Sequence, residues 1–188
     1  MKIDEKHPGF SEMQNIKRRF FALRNGVVSD VLRKAGSPYR IIFGLSLVDL
    51  RQIAAVTNPD GNVAEALRQN YSTRESRLLW PMIINPSEVS EDQAREWLAD
   101  VRGVEEADIL CNSLLRKLAF SDAVAERQYS SPEATDLQRY ASLRMMAAIM
   151  YLKPEPARRM ADAELSRNCA MTKALAQMII DETGNTVR

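Results

Sequence analysis

The chain has few residues of the types that build common catalytic sites: one histidine, two cysteines and seven glycines among 188 residues. Without a second histidine, His7 cannot form a histidine metal site, and its place near the N-terminus also argues against a histidine-based triad. Cys111 and Cys169 are too few and too far apart for a metal motif, and we expect both thiols to be reduced. No glycine-rich phosphate loop is present. The sequence therefore predicts neither a metal nor a cofactor.

Long apolar runs are also missing. The longest, residues 145–152, is far too short to cross a bilayer, and residues 1–6 are charged with no apolar segment behind them. Hydrophobic residues make up 45% of the chain and charged residues 27%, as in ordinary globular domains. We therefore expect a cytoplasmic protein with no membrane partner. Its length predicts a single domain over residues 1–188, with a flexible tail at residues 1–10.

Hydrophobic residues recur with helical spacing along the whole chain, and strand signals are nearly absent. Several segments begin with a capping box, in which a Ser or Thr is followed three residues later by Glu or Gln. These pairs are Ser11 with Gln14, Ser72 with Glu75 and Ser90 with Gln93, and looser versions occur at Ser46 with Asp49 and at Asn62 with Glu65. The only β-leaning run, residues 39–44, is brief. The pattern predicts an all-α protein.

The spacing predicts eleven helices joined by short connections. They span residues 11–25, 27–35, 46–57, 62–70, 73–85, 90–102, 105–119, 122–129, 133–152, 155–167 and 169–182. Because connections of about two to six residues turn each helix back on its neighbour, we expect antiparallel helix pairs, in an α-solenoid or a bundle. A spacing of about forty residues per pair suits HEAT-like repeats stacked into an α-α superhelix.

Six segments match, in order along the chain, the helix motifs of one known family. They read IIFGLSLVDLRQIA at 41–54, AEAL at 64–67, STRESRLL at 72–79, WLADV at 97–101, ADILCNSLL at 107–115 and LQRYASL at 137–143. With these motifs the chain resembles the alkylpurine DNA glycosylases built from HEAT-like repeats, over about residues 14–180. The resemblance implies an α-solenoid that binds duplex DNA and excises positively charged alkylated bases.

In that family, the helix that resembles residues 107–115 carries a carboxylate near the damaged nucleotide, where it stabilises the cationic sugar. Asn112 stands at the position of this aspartate, and Asp108, or Ala107 in a shifted register, stands at a tryptophan position. Gln177 stands nearest to the family's other tryptophan. Asp108 lies one helical turn before Asn112, so it either supplies the carboxylate from a shifted position or merely favours the positive helix N-terminus.

Basic residues are the candidate DNA contacts. Arg139 matches a phosphate-contacting position of the family, although a solvated surface arginine is the alternative. Lys17, Arg18 and Arg19 form a run that is either a DNA-binding rim or a solvated helix face.

The distribution of charge along the sequence bears on whether the partner is DNA or a protein. Residues 1–52 hold ten lysines and arginines against five acids, whereas residues 88–108 hold eight acids against two arginines. The net charge of +1 argues against strong nonspecific DNA binding. We therefore predict an alkylation-repair-like protein that binds duplex DNA, intact or damaged, with weak or lost base excision. The alternative is a scaffold that holds a protein segment in its concave face. A third hypothesis is an active alkylpurine DNA glycosylase that uses Asp108.

Overall fold

The computed structural model describes residues 8–58 and 60–185, and this part of the chain is almost entirely helical. Its eleven α-helices are α1 (Pro8–Ala22), α2 (Gly26–Lys34), α3 (Leu47–Val56), α4 (Gly61–Arg68), α5 (Arg74–Ile83), α6 (Glu91–Ala99), α7 (Val104–Ser113), α8 (Ser121–Tyr129), α9 (Asp136–Ile149), α10 (Pro154–Arg167) and α11 (Lys173–Asn185). No β-strand occurs among these residues; a single parallel bridge joins Ile41 and Thr73. The all-α prediction and the number of helices are confirmed.

The chain divides between residues 85 and 86 into two compact units. In the first unit α5 packs on α3 and α4, and in the second α9 packs on α7, α8, α10 and α11. Consecutive helices such as α8 and α9, or α10 and α11, form close pairs, as the short connections predict. The α-α superhelix and the single domain over residues 1–188 stay predictions. Within the described ranges, no helix is both long and apolar enough to cross a membrane.

Several helix ends differ from the sequence prediction by three residues or more, and those of α1 and α7 bear on predicted features. The helix α1 begins at Pro8, so Ser11 lies inside it and part of the expected tail is helical. Proline suits a first helical turn because its missing N–H would have had no partner there. The second difference is at the C-terminal end of α7, which stops at Ser113 instead of residue 119 and is followed by a 3₁₀ turn at Leu115–Lys117. His7 lies outside the described residues.

Side-chain capping is correctly predicted in part. Capping boxes form at Ser46 with Asp49, at Ser90 with Gln93 and, unpredicted, at Thr135 with Gln138. The looser signal at Asn62 is wrong, because Asp60 caps α4 instead by accepting hydrogen bonds from the backbone N–H groups of Asn62 and Val63. An aspartate two residues earlier is as good a cap as asparagine, so the spacing alone did not distinguish them.

The box expected at Ser72 with Glu75 is also wrong. The helix α5 begins at Arg74 without a side-chain cap, and the carboxylate of Glu75 is fully buried. It accepts hydrogen bonds from the backbone N–H groups of Phe43, at 3.0 Å, and Gly44, at 2.9 Å, and pairs with Arg74 at 2.8 Å. Contacts to a distant loop have therefore replaced the local cap.

Gly44 is required where this loop passes α2. Its φ is +77°, and an added Cβ would lie 2.3 Å from the carbonyl oxygen of Asn25 and 2.9 Å from the backbone nitrogen of Ser29. Gly36 has a similar φ of +81° but open space around it. The two positions therefore separate backbone strain from steric overlap.

We expect Gly44→Ala to lower the free energy of unfolding by about 2–5 kcal/mol, because a left-handed backbone and overpacking both oppose the methyl group. Gly36→Ala serves as the matched control and should cost only about 1–2 kcal/mol, from the backbone alone. Urea unfolding followed by circular dichroism measures both. Equal destabilisation of the two variants would show that the close approach of α2 to the loop is not tight.

Candidate functional site

Asp108 lies at the centre of a polar cluster between α7 and α9. Its Oδ1 accepts a hydrogen bond of 2.9 Å from the Tyr140 hydroxyl and also lies 2.9 Å from Nε of Arg144. Tyr140 and Arg144 are four residues apart on α9 and therefore share one helix face. We call Asp108, Tyr140 and Arg144 the α7–α9 cluster. Nε of Arg144 meets the carboxylate as an ion pair, without the alignment of a hydrogen bond.

The carboxylate of Asp108 is accessible as well as paired. Its side chain is 37% exposed, and that of Arg144 is 29% exposed. The guanidinium offsets the negative charge of the carboxylate at close range, so the pair is neutral overall. A cation approaching Asp108 therefore meets a positive charge beside the negative one. The sequence did not reveal Tyr140 or Arg144 as part of this site, because both lie more than thirty residues from Asp108.

The side chain of Asn112 is hydrogen-bonded within its own helix. Its side-chain nitrogen donates a hydrogen bond of 2.8 Å to the backbone carbonyl of Asp108, and the residue is half-buried. The amide carries no charge, so it gives a cationic sugar no anionic partner. The structure thus brings Asn112 and Asp108 together on one turn, and only Asp108 carries a carboxylate.

Burial shapes the titration of the other groups near the cluster. Burial raises the pKa of the Tyr140 hydroxyl, and its hydrogen bond to Asp108 raises it further. Burial also raises the pKa of the Cys111 thiol, which lies 3.5 Å from the carbonyl oxygen of Ala141. Both groups therefore stay protonated at neutral pH, and Cys111 is no nucleophile. Cys111 and Cys169 are both free thiols, as expected.

Neither tryptophan offers a surface for a cationic base. Trp80 is 1% exposed and Trp97 is 5% exposed, and the chain has no others. Both rings are packed in the cores of their units. An aromatic platform of the kind that the resemblance implies cannot come from tryptophan here.

Arg139 holds the end of α8. Its guanidinium donates hydrogen bonds to the carbonyls of Tyr129, at 2.5 Å, and Ser131, at 3.2 Å, and lies over the Tyr129 ring at 5.3 Å. A cation at a helix C-terminus satisfies carbonyls that have no partner in the helix. The guanidinium thus has a structural role, and a phosphate contact by Arg139 stays a prediction.

Lys17, Arg18 and Arg19 lie on the exposed side of α1, whose residues Ile16 and Phe20 are buried. Among the residues that the structure describes, none of the three basic side chains has an ion-pair or hydrogen-bond partner. They belong to the first unit, whereas the α7–α9 cluster belongs to the second. No acid among the described residues compensates their charge.

Many of the acids in residues 88–108 lie at helix starts. Glu91 and Asp92 are in the first turn of α6, and Glu105 and Glu106 are in the first turn of α7. Carboxylates at these positions are stabilised by the positive end of the helix. The acidic block therefore has a structural explanation that involves no ligand.

Comparison with known proteins identifies no relative. No family model, no curated protein and no solved structure matches the chain. Function is therefore inferred from the residues of the α7–α9 cluster and of α1.

Proposed function

We propose that this chain is an alkylation-repair-like protein that binds duplex DNA and in which base excision is weak or lost. The observation that carries the proposal is the state of the α7–α9 cluster. Asn112 is uncharged where the resemblance implies a carboxylate, and the nearest carboxylate, Asp108, is paired with Arg144. The site keeps a polar face but little uncompensated negative charge.

Base excision depends on a negative charge near the sugar. When an alkylated purine leaves, positive charge develops on the sugar, and a preorganised anion lowers the barrier. Arg144, whose Nε lies 2.9 Å from the Asp108 carboxylate, repels that charge and offsets part of the attraction that Asp108 exerts on it. The buried tryptophans add no π face for the leaving base. Each of these features lowers the expected rate.

The exposed basic run on α1 supports binding to DNA. Successive helical residues are about 100° apart, so Lys17, Arg18 and Arg19 cover an arc of the solvent side of α1. Only about two of the three charges can face one DNA backbone at the same time. The net charge of the chain is also only +1. We therefore expect binding that is weak, independent of sequence and sensitive to salt.

The test replaces Lys17, Arg18 and Arg19 by alanine together and measures duplex binding by fluorescence anisotropy at several salt concentrations. We expect weaker binding and a shallower salt dependence, in which the slope of log K against log salt falls by about 0.9 for each phosphate that the variant no longer neutralises. Binding should weaken equally for all duplex sequences, because phosphates carry no sequence information.

The matched control removes three arginines that are already paired. Arg95, Arg127 and Arg159 each lie within ion-pair distance of an acid, so their replacement by alanine removes the same formal charge from compensated positions. Duplex binding should change little in this variant. Equal weakening in both variants would mean that only net charge matters, and no binding at low salt would contradict the proposal.

A further inference from the structure

Helix α2 turns its three valines toward solvent, whereas its Leu32 is half-buried. Val27, Val28 and Val31 are 76%, 37% and 60% exposed, and the only residue that α2 buries is Ser29. Val27 and Val31 are one turn apart with Val28 between them, so the three form one continuous face. A surface helix of a soluble domain normally buries such a face and exposes the polar one. The valines of α2 are an exception to this rule, and the polar residues Asp30 and Arg33 of the same helix are exposed as well.

Polar contacts fix this orientation. The Ser29 hydroxyl donates a hydrogen bond of 2.8 Å to the carbonyl of Ile42, and the backbone N–H of Asn25 donates one of 2.8 Å to the carbonyl of Phe43. Gly44 lets the loop approach the backbone of α2, as described above. The helix is thus held at Ser29 and at its N-terminal end, and the valines lie on a fixed support.

Basic charge borders the valines at the end of α2, where the exposed Asp30 is paired with Arg33 at 3.1 Å. Lys34 lies three residues after Val31 and so on the same side of α2, and it has no ion-pair partner among the described residues. Over residues 8–34 the chain has six lysines and arginines against two acids. We call Val27, Val28, Val31 and Lys34 the α2 face. Its chemistry is aliphatic at the centre and cationic at the end.

We propose that the α2 face binds an amphipathic helix of a partner protein, one whose apolar stripe is bordered by Asp or Glu. Aliphatic side chains at helical spacing match the stripe of another helix, and the cationic border matches acidic flanks. Valines have no aromatic face on which a base could stack and no donor for a phosphate, so this surface adds to the proposed DNA contacts on α1 and does not depend on them. A second copy of the chain fits the face less well, because it would bring two such basic segments together.

The experiment uses the full chain and a labelled synthetic helix of about 18 residues, with leucines at i, i+3, i+4 and i+7 and glutamates on both flanks. A second peptide has lysines in place of the glutamates. We expect the acidic peptide to bind at least about tenfold more tightly than the basic one in fluorescence anisotropy. Val27→Asp combined with Val31→Asp should weaken binding of the acidic peptide by at least about tenfold, and Lys34→Glu by a smaller factor with reduced salt dependence.

Val48→Asp is the matched control, because Val48 is also 60% exposed but lies on α3. It should leave peptide binding unchanged. All of these positions are exposed, so unchanged urea unfolding of each variant should verify the fold; Val27→Ser with Val31→Ser replaces the aspartate variant if unfolding changes. Duplex DNA binding should be unaltered in Val27→Ser with Val31→Ser, which keeps the charge of the chain unchanged, and this separates the proposal from the proposed function.

Three outcomes would overturn the proposal. Equal binding of both peptides, or equal weakening in the Val48 control, would show that the α2 face is not specific. Binding to vesicles of phosphatidylserine and phosphatidylcholine that disappears in the α2 variants, without peptide binding, would assign the face to a lipid surface. A dimer in sedimentation velocity that disappears in the same variants would assign it to a second copy of the chain.

Discussion

Release of alkylated purines from methylated duplex DNA is expected to be at least about 10²-fold slower for this chain than for intact members of the family that it resembles. Loss of one preorganised electrostatic contact typically costs about 10²- to 10³-fold in rate. Here Asn112 supplies no charge, and the charge of Asp108 is offset by Arg144. The measurement is a base-release assay on methylated duplex DNA.

Two substitutions test the cause of the slow release. Asn112→Asp places a carboxylate at the position that the resemblance implies, and it should raise the rate. Arg144→Gln removes the compensating cation from Asp108 while keeping a polar side chain of similar length, and it should also raise the rate. Arg144→Lys is the matched control: it keeps the positive charge and should leave release slow.

The outcomes separate the hypotheses. Robust release by the natural chain that disappears in Asp108→Asn would contradict the proposal and make Asp108 the catalytic carboxylate. A gain in Arg144→Gln that is absent in Arg144→Lys would show that the ion pair suppresses catalysis. If every variant is inactive, the charges at Asn112 and Asp108 are not by themselves the cause of the slow release, whereas DNA binding by α1 is judged by its own assay.

The largest effect on stability is expected from Glu75→Ala in the first unit. Glu75 is fully buried, accepts hydrogen bonds from the backbone N–H groups of Phe43 and Gly44, and pairs with Arg74. Removing it takes one carboxylate from Arg74, which is 5% exposed, and takes the acceptor of their hydrogen bonds from two backbone N–H groups. Loss of one partner of a buried pair typically costs about 3–5 kcal/mol. Urea unfolding measures the change.

Glu65→Ala provides the control for Glu75→Ala. Glu65 also pairs with an arginine, Arg68, at 2.7 Å, but its side chain is 41% exposed. Water reaches Glu65 and screens this pair in part, although the Arg68 side chain is only 10% exposed, so Glu65→Ala should cost less than Glu75→Ala. If Glu75→Ala proves as mild as Glu65→Ala, water reaches the loop at residues 43–44 in solution and the carboxylate does not hold it.

The wrong capping prediction at Glu75 shows where sequence reasoning fails. The pattern from Ser72 to Glu75 satisfies the local rule for a capping box, and the same rule succeeds at Ser46 and Ser90. At Glu75 the carboxylate instead accepts hydrogen bonds from two N–H groups of a loop about thirty residues earlier. No local pattern distinguishes these cases, because the competing donors are brought near only by the packing of α5 against α3.

The candidate site also combines a spacing that the sequence indicates with contacts that only the structure shows. The sequence indicated that Asp108 and Asn112 are one turn apart, and the structure places them so on α7. It did not indicate that Tyr140 and Arg144 meet Asp108, or that the guanidinium of Arg139 is bonded to the end of α8. Those contacts decide how much negative charge the site presents, and therefore what chemistry it can perform.

The sequence by itself determined the all-α class, the number and order of the helices and most of their starts, because hydrophobic spacing and capping act within about four residues. Only the tertiary structure decided that Arg144 neutralises Asp108 and that Glu75 accepts hydrogen bonds from the loop at residues 43–44, since these partners lie about thirty or more residues away along the chain. It also decided that the valines of α2 face outward. Helical spacing puts those valines on one face, but which face is buried depends on what packs against the helix.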